Sequence, residues 1–313
     1  MQWLSNYEGE LGQAFTKAEH ILSALPDTFS GPALEYLDKF HVLKEDRSKN
    51  YICYLLPFWL HDNSGVSIHD CENFAVANIF GMMYYHLIDE LMDDPSSQSP
   101  LHLPLANFIQ YEFIQSYSNY FPSNSPFWSY YKKYVTEWAE AVTHEQLRDY
   151  FQDNPIAIAH KAAPVKLSIV SSLLLIERND NHKLIPLLED AVNTVLITLQ
   201  MLDDWEDWEK DLQEGSYNCL ISMVQNNLEL RGERRPTPEE IRQALTASDL
   251  LLQYAQRAET HHESLEAIRS YSPHLYEFHD FLCKNLQQAA RQLEKERSLL
   301  YQGGLAYWLS KNT

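Results

Sequence analysis

Glycine is scarce in this sequence, with nine glycines in 313 residues. Tight β-hairpin turns depend on glycine, and no segment alternates apolar and polar residues between hairpin turn signals. Segments with an apolar period near 3.6 residues fill the chain instead. They predict helices at 8–25, 32–43, 50–60, 69–92, 104–120, 126–151, 155–178, 183–212, 217–229, 238–269 and 274–302. The sequence therefore predicts an all-α protein, and since no flexible linker divides it, we expect one domain over residues 1–313.

Cysteine is rare as well, and the four cysteines show neither a CxxC pair nor the spacing of zinc ligands. This usage is typical of reduced thiols inside the cell. No apolar run reaches the length of a membrane span, and the first residues lack the basic and apolar regions of a signal peptide. We therefore expect a cytoplasmic protein without an integral membrane segment.

Basic residues are outnumbered, because 24 Lys and Arg face 44 Asp and Glu and give a formal charge of −20. Such a field repels nucleic acids and anionic membrane surfaces, which excludes both as partners. No Lys or Arg occurs between Tyr51 and Tyr131. An anionic substrate would therefore need metal ions to bind.

Two strongly apolar helices end in acidic residues. The first, "ENFAVANIFGMMYYHLIDELMDD", ends with Asp89, Glu90, Asp93 and Asp94. Asp89 and Asp93 share one helix face because they are four residues apart. The same face continues backward through Tyr85, Met82 and Asn78. These side chains are predicted to line any cavity that lies behind the carboxylates.

The second acidic end follows "DAVNTVLITLQML". Its apolar stripe of Val192, Leu196 and Leu199 leads directly into Asp203 and Asp207, and Asp211 extends it. Carboxylates that continue an apolar stripe are predicted to point toward the core, where unpaired charge is costly. Lys210 is the only base in this motif. Hard divalent cations prefer such oxygen ligands, so the pattern predicts a metal site; the competing interpretation is a solvated helix end.

These stretches resemble the motifs of class I isoprenoid synthases. "LIDELMDD" is similar to their first aspartate-rich motif, DDxxD, with Glu90 in its second position. "QMLDDWEDWEKD" resembles the second motif of trans-prenyl diphosphate synthases, and its Asp203, Asp207 and Asp211 have the spacing of the terpene synthase metal triad. "HKAAPVKL" is similar to the Lys-Thr/Ser-Ala segment, which would place Lys161 on a diphosphate.

The resemblance implies a helical bundle around a central apolar cavity, with both acidic motifs at its mouth. It implies Mg²⁺ as cofactor, commonly three ions, with Mn²⁺ as an alternative, and often a homodimer. The implied metal ligands are Asp89, Glu90, Asp93, Asp203, Asp204, Asp207 and Asp211. The implied catalytic residues are Asp89, Asp93, Asp203, Asp207 and Lys161. Lys161, Gln200, Tyr85, Met82, Asn78 and Leu199 would bind substrate.

Chain elongation requires a second diphosphate site built from basic residues, and its motifs are missing here. "PSSQSP" replaces the paired arginines after the first motif, and Ser216 stands where a lysine follows the second. We therefore expect a Mg²⁺-dependent terpene synthase that ionises a linear allylic C15–C25 diphosphate and cyclises the cation or eliminates a proton.

Two alternatives stay open, and a third is set aside. The first is a prenyltransferase that uses isopentenyl diphosphate, and the second is a catalytically silent helical binding protein. A di-iron protein is less favoured, because only Glu259 and His262 have the Glu-x-x-His spacing. Neighbouring His261 and His262 are predicted to lie on a solvated helix face.

Overall fold

The computed structural model describes residues 1–44, 50–93, 99–145, 149–176, 180–230 and 234–301. Helices contain 82% of the chain, and no strand occurs among the described residues. The prediction of an all-α protein is confirmed.

The α-helices of the described residues follow one another with short connections. In chain order they are α1 (Gln2–Ser5), α2 (Glu8–Ser23), α3 (Asp27–Lys39), α4 (Tyr51–Ser64), α5 (Ile68–Asp93), α6 (His102–Ser118), α7 (Phe127–His144), α8 (Tyr150–Asp153), α9 (Ile156–His160), α10 (Leu167–Leu175), α11 (Asn181–Glu214), α12 (Cys219–Asn227), α13 (Pro238–Ala247), α14 (Leu250–Ser264) and α15 (Pro273–Tyr301). Two short 3₁₀-helices cover Ala163–Lys166 and Leu265–Ile268.

The chain divides into two compact units, and the first comprises Met1–Trp138, Ala162–Asp190 and Ile268–Leu275. Helix α5 is central to this unit and packs against α2, α4 and α6. Its apolar residues lie on every face, as expected for a helix surrounded by others. A Cβ atom at Gly81 would lie 2.9 Å from the Phe113 ring, so α5 and α6 approach this closely because position 81 has no side chain.

The first unit also buries a charged network. Lys166 is 1% exposed, donates a 2.6 Å hydrogen bond to Glu137 and lies over the Tyr134 ring. Glu189 accepts hydrogen bonds from Lys133 and from the Tyr134 hydroxyl. Opposite charges are paired here, which offsets the cost of removing them from water.

The second unit comprises Ala139–Lys161, Ala191–Ala267 and Tyr276–Thr313. Its α12 packs against α8, α13 and α14 and buries six consecutive residues from Cys219 to Val224. The Tyr254 hydroxyl of α14 donates a 3.0 Å hydrogen bond to the Met201 carbonyl of α11. The second unit therefore has a core of its own, in which the C-terminal part of α11 takes part.

Three predicted helices are divided in the structure. The predicted helix at 155–178 is interrupted by the 3₁₀-helix around Pro164, since proline lacks the amide hydrogen that an α-helix needs. The helix predicted at 238–269 breaks after Ala247, where the Ser248 hydroxyl donates to the Ala244 carbonyl and accepts from the Leu250 amide. The helix predicted at 126–151 ends at His144.

Helix α11 is the one described helix long and apolar enough to cross a membrane by length and composition, contrary to the expectation that no run has that length. Of its most apolar 18-residue window, 61% is buried inside the protein. The core helix of a folded domain has these properties too.

Candidate functional site

The second acidic motif occupies the C-terminal end of α11, in the second unit. Val192 and Leu196 of the predicted stripe are buried and Leu199 is half-buried, but Asp203 and Asp207 are exposed. The carboxylate that enters the protein is Asp204, which is 2% exposed. The predicted direction is therefore wrong for Asp207, because the helix turns its acidic end partly toward solvent, whereas Asp203 is exposed but remains partly desolvated by the surrounding protein.

Asp204 is bound by the protein through both carboxylate oxygens. Oδ1 accepts a 2.6 Å hydrogen bond from the Gln200 amide nitrogen, and Oδ2 accepts one of 2.6 Å from the backbone N–H of Cys219. Burial raises the pKa of Asp204 to about 6, while these hydrogen bonds and the positive charge of Lys161 oppose the rise. Asp204 and Gln200 thus connect α11 to the start of α12.

Asn218 completes this connection. The chain reverses after α11 at Gly215, whose φ of 79° is in the left-handed region that favours glycine. Asn218 then caps α12 by accepting from the Ile221 amide. Its side-chain nitrogen donates to the Asp211 carboxylate and to the Asp204 carbonyl, both at 2.8 Å. The sequence prediction missed this role, although an asparagine before an apolar run is a recognised helix-start signal.

The remaining carboxylates form a crowded negative patch at the end of α11. Asp203 reaches water but is closely surrounded by protein, and this partial desolvation raises its pKa to about 7. The charges of Asp204, Glu206, Asp207 and Asp211 add to the rise. Desolvation also raises the pKa of Asp211, against the hydrogen bond from Asn218. Such a patch is stabilised by a bound cation.

Lys161 lies near this patch, at the end of α9. Its positive charge lowers the pKa of Asp204, so it is within electrostatic range of the second motif. Its ammonium also forms a 2.6 Å ion pair with Glu145, and both side chains are about one-quarter exposed, at 27% and 22%. A diphosphate would have to compete with Glu145 for this ammonium.

A second hydrogen-bond network joins Asp149, just before α8, to residues at and just before α12. Asp149 accepts hydrogen bonds from the Tyr217 and Ser222 hydroxyls at 2.9 and 2.7 Å. The Tyr217 oxygen in turn accepts the Phe151 amide hydrogen at 2.6 Å. These residues were not singled out in the sequence, because isolated polar residues near helix starts give no signal of a shared network.

The first acidic motif ends α5 in the first unit. Asp89 is half-buried and Glu90 is exposed. Glu90 accepts a 3.3 Å hydrogen bond from the Tyr36 hydroxyl and lies 3.5 Å from the His86 Nδ1 and 4.0 Å from the Lys39 ammonium. The side chain of Asp93 and all of Asp94 lie outside the described residues. The structure therefore places Glu90 among partners on and beside its own helix.

The face behind Asp89 is only partly as predicted. Asn78 is buried and uses its amide within the core, donating to Ser168 at 2.7 Å and accepting from Tyr117 at 2.9 Å. Tyr85 is half-buried against the Trp138 ring, with centroids 4.8 Å apart, and Met82 is also half-buried. Asn78 thus has a structural role, while Tyr85 and Met82 keep some access to solvent.

The first unit has an open groove of about 550 Å³, elsewhere on α5. It is lined by α2, α5, α6 and the residues just after α6, including Lys17, Asn73 and Tyr120. Asn73 is about 24 Å from Asp89 along the helix axis, at 1.5 Å per residue. The groove is therefore not the cavity predicted behind Asp89.

Comparison with known proteins gives no match to a family model, to a curated protein or to a solved structure. The resemblance to class I isoprenoid synthases therefore rests on the motif residues themselves.

Proposed function

We propose that this protein is a class I terpene synthase that ionises an allylic polyprenyl diphosphate with the help of Mg²⁺. One observation carries the proposal: the carboxylates of Asp203, Asp207 and Asp211 crowd the end of α11 with accessible oxygens, and the positive charge of Lys161 lies close to them. A folded protein keeps like charges at such density when a ligand of opposite charge compensates them.

The residues of the second motif fit Mg²⁺ by their chemistry. Asp203 and Asp207 are exposed and Asp211 is half-buried, so their oxygens are accessible to an ion that keeps several of its waters. Asp204 is the exception among the predicted ligands, because both of its oxygens already accept hydrogen bonds. We therefore assign metal binding to Asp203, Asp207 and Asp211, and assign the positioning of α11 against α12 to Asp204 and Gln200.

When bound, Mg²⁺ supplies Lewis acidity that stabilises the negative charge of the leaving diphosphate. Lys161 contributes a positive charge to the same group once it turns from Glu145.

Product analysis tests this proposal. Purified protein would be incubated with Mg²⁺ and linear C10 to C25 diphosphates, and the extracts examined by mass spectrometry. A hydrocarbon or alcohol formed from one allylic diphosphate supports the proposal. A product lengthened by five carbons, formed only when isopentenyl diphosphate is added, would identify a prenyltransferase instead.

A second candidate is a catalytically silent helical protein that binds a ligand on this scaffold. This candidate is favoured because two predicted site residues already bind other residues of the protein. Lys161 pairs with Glu145, and Glu90 accepts a hydrogen bond from Tyr36. Such a protein would leave every diphosphate of the series unchanged. It would also show no increase in thermal stability when Mg²⁺ and pyrophosphate are added together.

A further inference from the structure

Two histidines and a cysteine meet where α14 packs near α15 in the second unit. His262 belongs to α14, while His279 and Cys283 are four residues apart on α15 and so share one helix face. Their ligand atoms all lie within 4.8 Å of one another. Among the described residues, no other group of three or more His, Cys, Asp or Glu side chains converges in this way. The prediction that His261 and His262 lie on a solvated face is wrong, since both are half-buried.

Two of the three separations between ligand atoms are close to those of a small tetrahedral ion, and the third, between His262 and Cys283, is within 4.8 Å. His262 Nδ1 and His279 Nδ1 are 3.0 Å apart, and Cys283 Sγ is 3.4 Å from His279 Nδ1. Zinc bond lengths give ligand separations of about 3.3 Å between two nitrogens and about 3.6 Å between nitrogen and sulfur in a tetrahedron. The observed distances are shorter by about 0.3 Å and about 0.2 Å, so small side-chain movements would open the site.

A second layer of hydrogen bonds holds His279 in place. Its Nε2 is 2.9 Å from the hydroxyl of the buried Thr198, and that hydroxyl is 3.1 Å from Nδ1 of His261. We assign the proton to His279 Nε2, which donates to Thr198, while the hydroxyl donates to His261. This tautomer leaves the lone pair of His279 Nδ1 directed at His262 and Cys283, and metal-binding histidines are commonly oriented by such a partner.

The surroundings keep the ligands neutral. Burial and the neighbouring His262 and His261 lower the pKa of His279 to about 3, so its imidazole is uncharged at neutral pH. Burial and the charges of Asp280 and Glu259 raise the pKa of Cys283 to about 12. A metal would therefore displace the thiol proton on binding.

We propose that His262, His279 and Cys283 form a Zn²⁺ site that connects α14 to α15, with the fourth coordination position open. His279 is fully buried and Cys283 is 3% exposed, while half-buried His262 gives an entry path. Nitrogen and sulfur ligands select zinc over magnesium. The site is distinct from the carboxylates of α11 and does not depend on the proposed diphosphate chemistry.

Cobalt substitution tests the site. The full chain would be freed of metal with a chelator, supplied with excess Mg²⁺ to occupy carboxylates, and titrated with Co²⁺. We expect one equivalent of Co²⁺ to give a thiolate-to-cobalt charge-transfer band together with the intense visible bands of four-coordinate cobalt, and Zn²⁺ to remove both.

The variant Cys283→Ser should abolish the charge-transfer band. The matched control Cys53→Ser, which changes a buried cysteine of α4, should leave it unchanged. Thr198→Val keeps all three ligands and should weaken Zn²⁺ binding by about 10- to 100-fold, as expected for the loss of an orienting hydrogen bond. If Cys283→Ser does not fold, Thr198→Val tests the zinc site in its place. Absence of the band in the wild-type protein, its persistence in Cys283→Ser, or unchanged zinc affinity in Thr198→Val would each overturn the proposal.

Discussion

The carboxylate of Asp204 accepts a 2.6 Å hydrogen bond from the backbone amide of Cys219, the first residue of α12. This contact separates Asp204 from its neighbours in the motif, since Asp203 and Asp207 are exposed to solvent. One acidic stretch therefore contains a structural carboxylate beside candidate metal ligands.

Asp204→Asn tests the structural role. The amide offers one acceptor where the protein presents two donors, so a buried hydrogen bond is lost and we expect destabilisation of about 1–3 kcal/mol. Urea unfolding at neutral pH measures this change. The matched substitution Asp207→Asn on the same helix should change the unfolding free energy by less than about 0.5 kcal/mol. Equal effects of both would contradict the assignment.

The stability of the metal-free protein should fall as the pH rises. Folding raises the pKa of Asp203 to about 7 and that of Asp204 to about 6, from an ordinary value of 3.8. A carboxyl with a raised pKa contributes stability that is complete below its unfolded pKa and is lost as the pH passes through the folded value. We expect the melting temperature to decrease between about pH 4 and about pH 7, less steeply in Asp203→Asn. Mg²⁺ should restore stability at the higher pH. Identical profiles of melting temperature against pH for the wild type and Asp203→Asn would contradict this prediction.

The two lysines of "HKAAPVKL" should respond differently to removal of their charge. Lys166 is buried against Glu137, so Lys166→Met removes the 2.6 Å ion pair of this carboxylate, which keeps Lys133 at 3.9 Å, and should destabilise the first unit by about 3 kcal/mol. The exposed pair of Lys284 with Asp280 provides the control, because Lys284→Met should have almost no effect on the unfolding free energy. A stable Lys166→Met protein would contradict the burial of this charge.

Lys161→Met should instead affect activity. Loss of one charge-assisted hydrogen bond to diphosphate corresponds to about 1.5–3 kcal/mol, or roughly a 10- to 150-fold decrease in kcat/KM. Its ion pair with Glu145, in which both side chains are about one-quarter exposed, should contribute little to stability, so folding should be preserved. Glu145→Gln frees the ammonium and should keep activity. If Glu145→Gln is as inactive as Lys161→Met, the ion pair itself is required and Lys161 does not bind the diphosphate.

The sequence predicted the long apolar helices closely, because their periodicity extends over many turns. Helix α5 was expected at 69–92 and spans Ile68–Asp93, and α11 was expected at 183–212 and spans Asn181–Glu214. The direction of individual side chains was less predictable. Near the end of α11 one residue of rotation decides between solvent and core, and there Asp204 rather than Asp203 enters the protein.

Contacts between distant residues could not be predicted at all. Cysteine spacing gave no zinc signal, yet His262 and Cys283 meet because two helices place them together. The contact of Glu90 with Tyr36 and that of Lys161 with Glu145 likewise join different elements, and no periodicity encodes them.

Diphosphate release from an allylic substrate is the most direct measure of the proposed Mg²⁺-dependent activity. Wild-type protein, Asp207→Asn and the control Glu209→Gln, an exposed acid on the same helix, would be assayed across the C10 to C25 diphosphates with and without Mg²⁺. We expect the wild type and Glu209→Gln to release diphosphate in the presence of Mg²⁺. We expect Asp207→Asn to release none while its helical signal stays intact. Release that is absent from the wild type with every substrate, or equal in Asp207→Asn, would contradict the proposed activity.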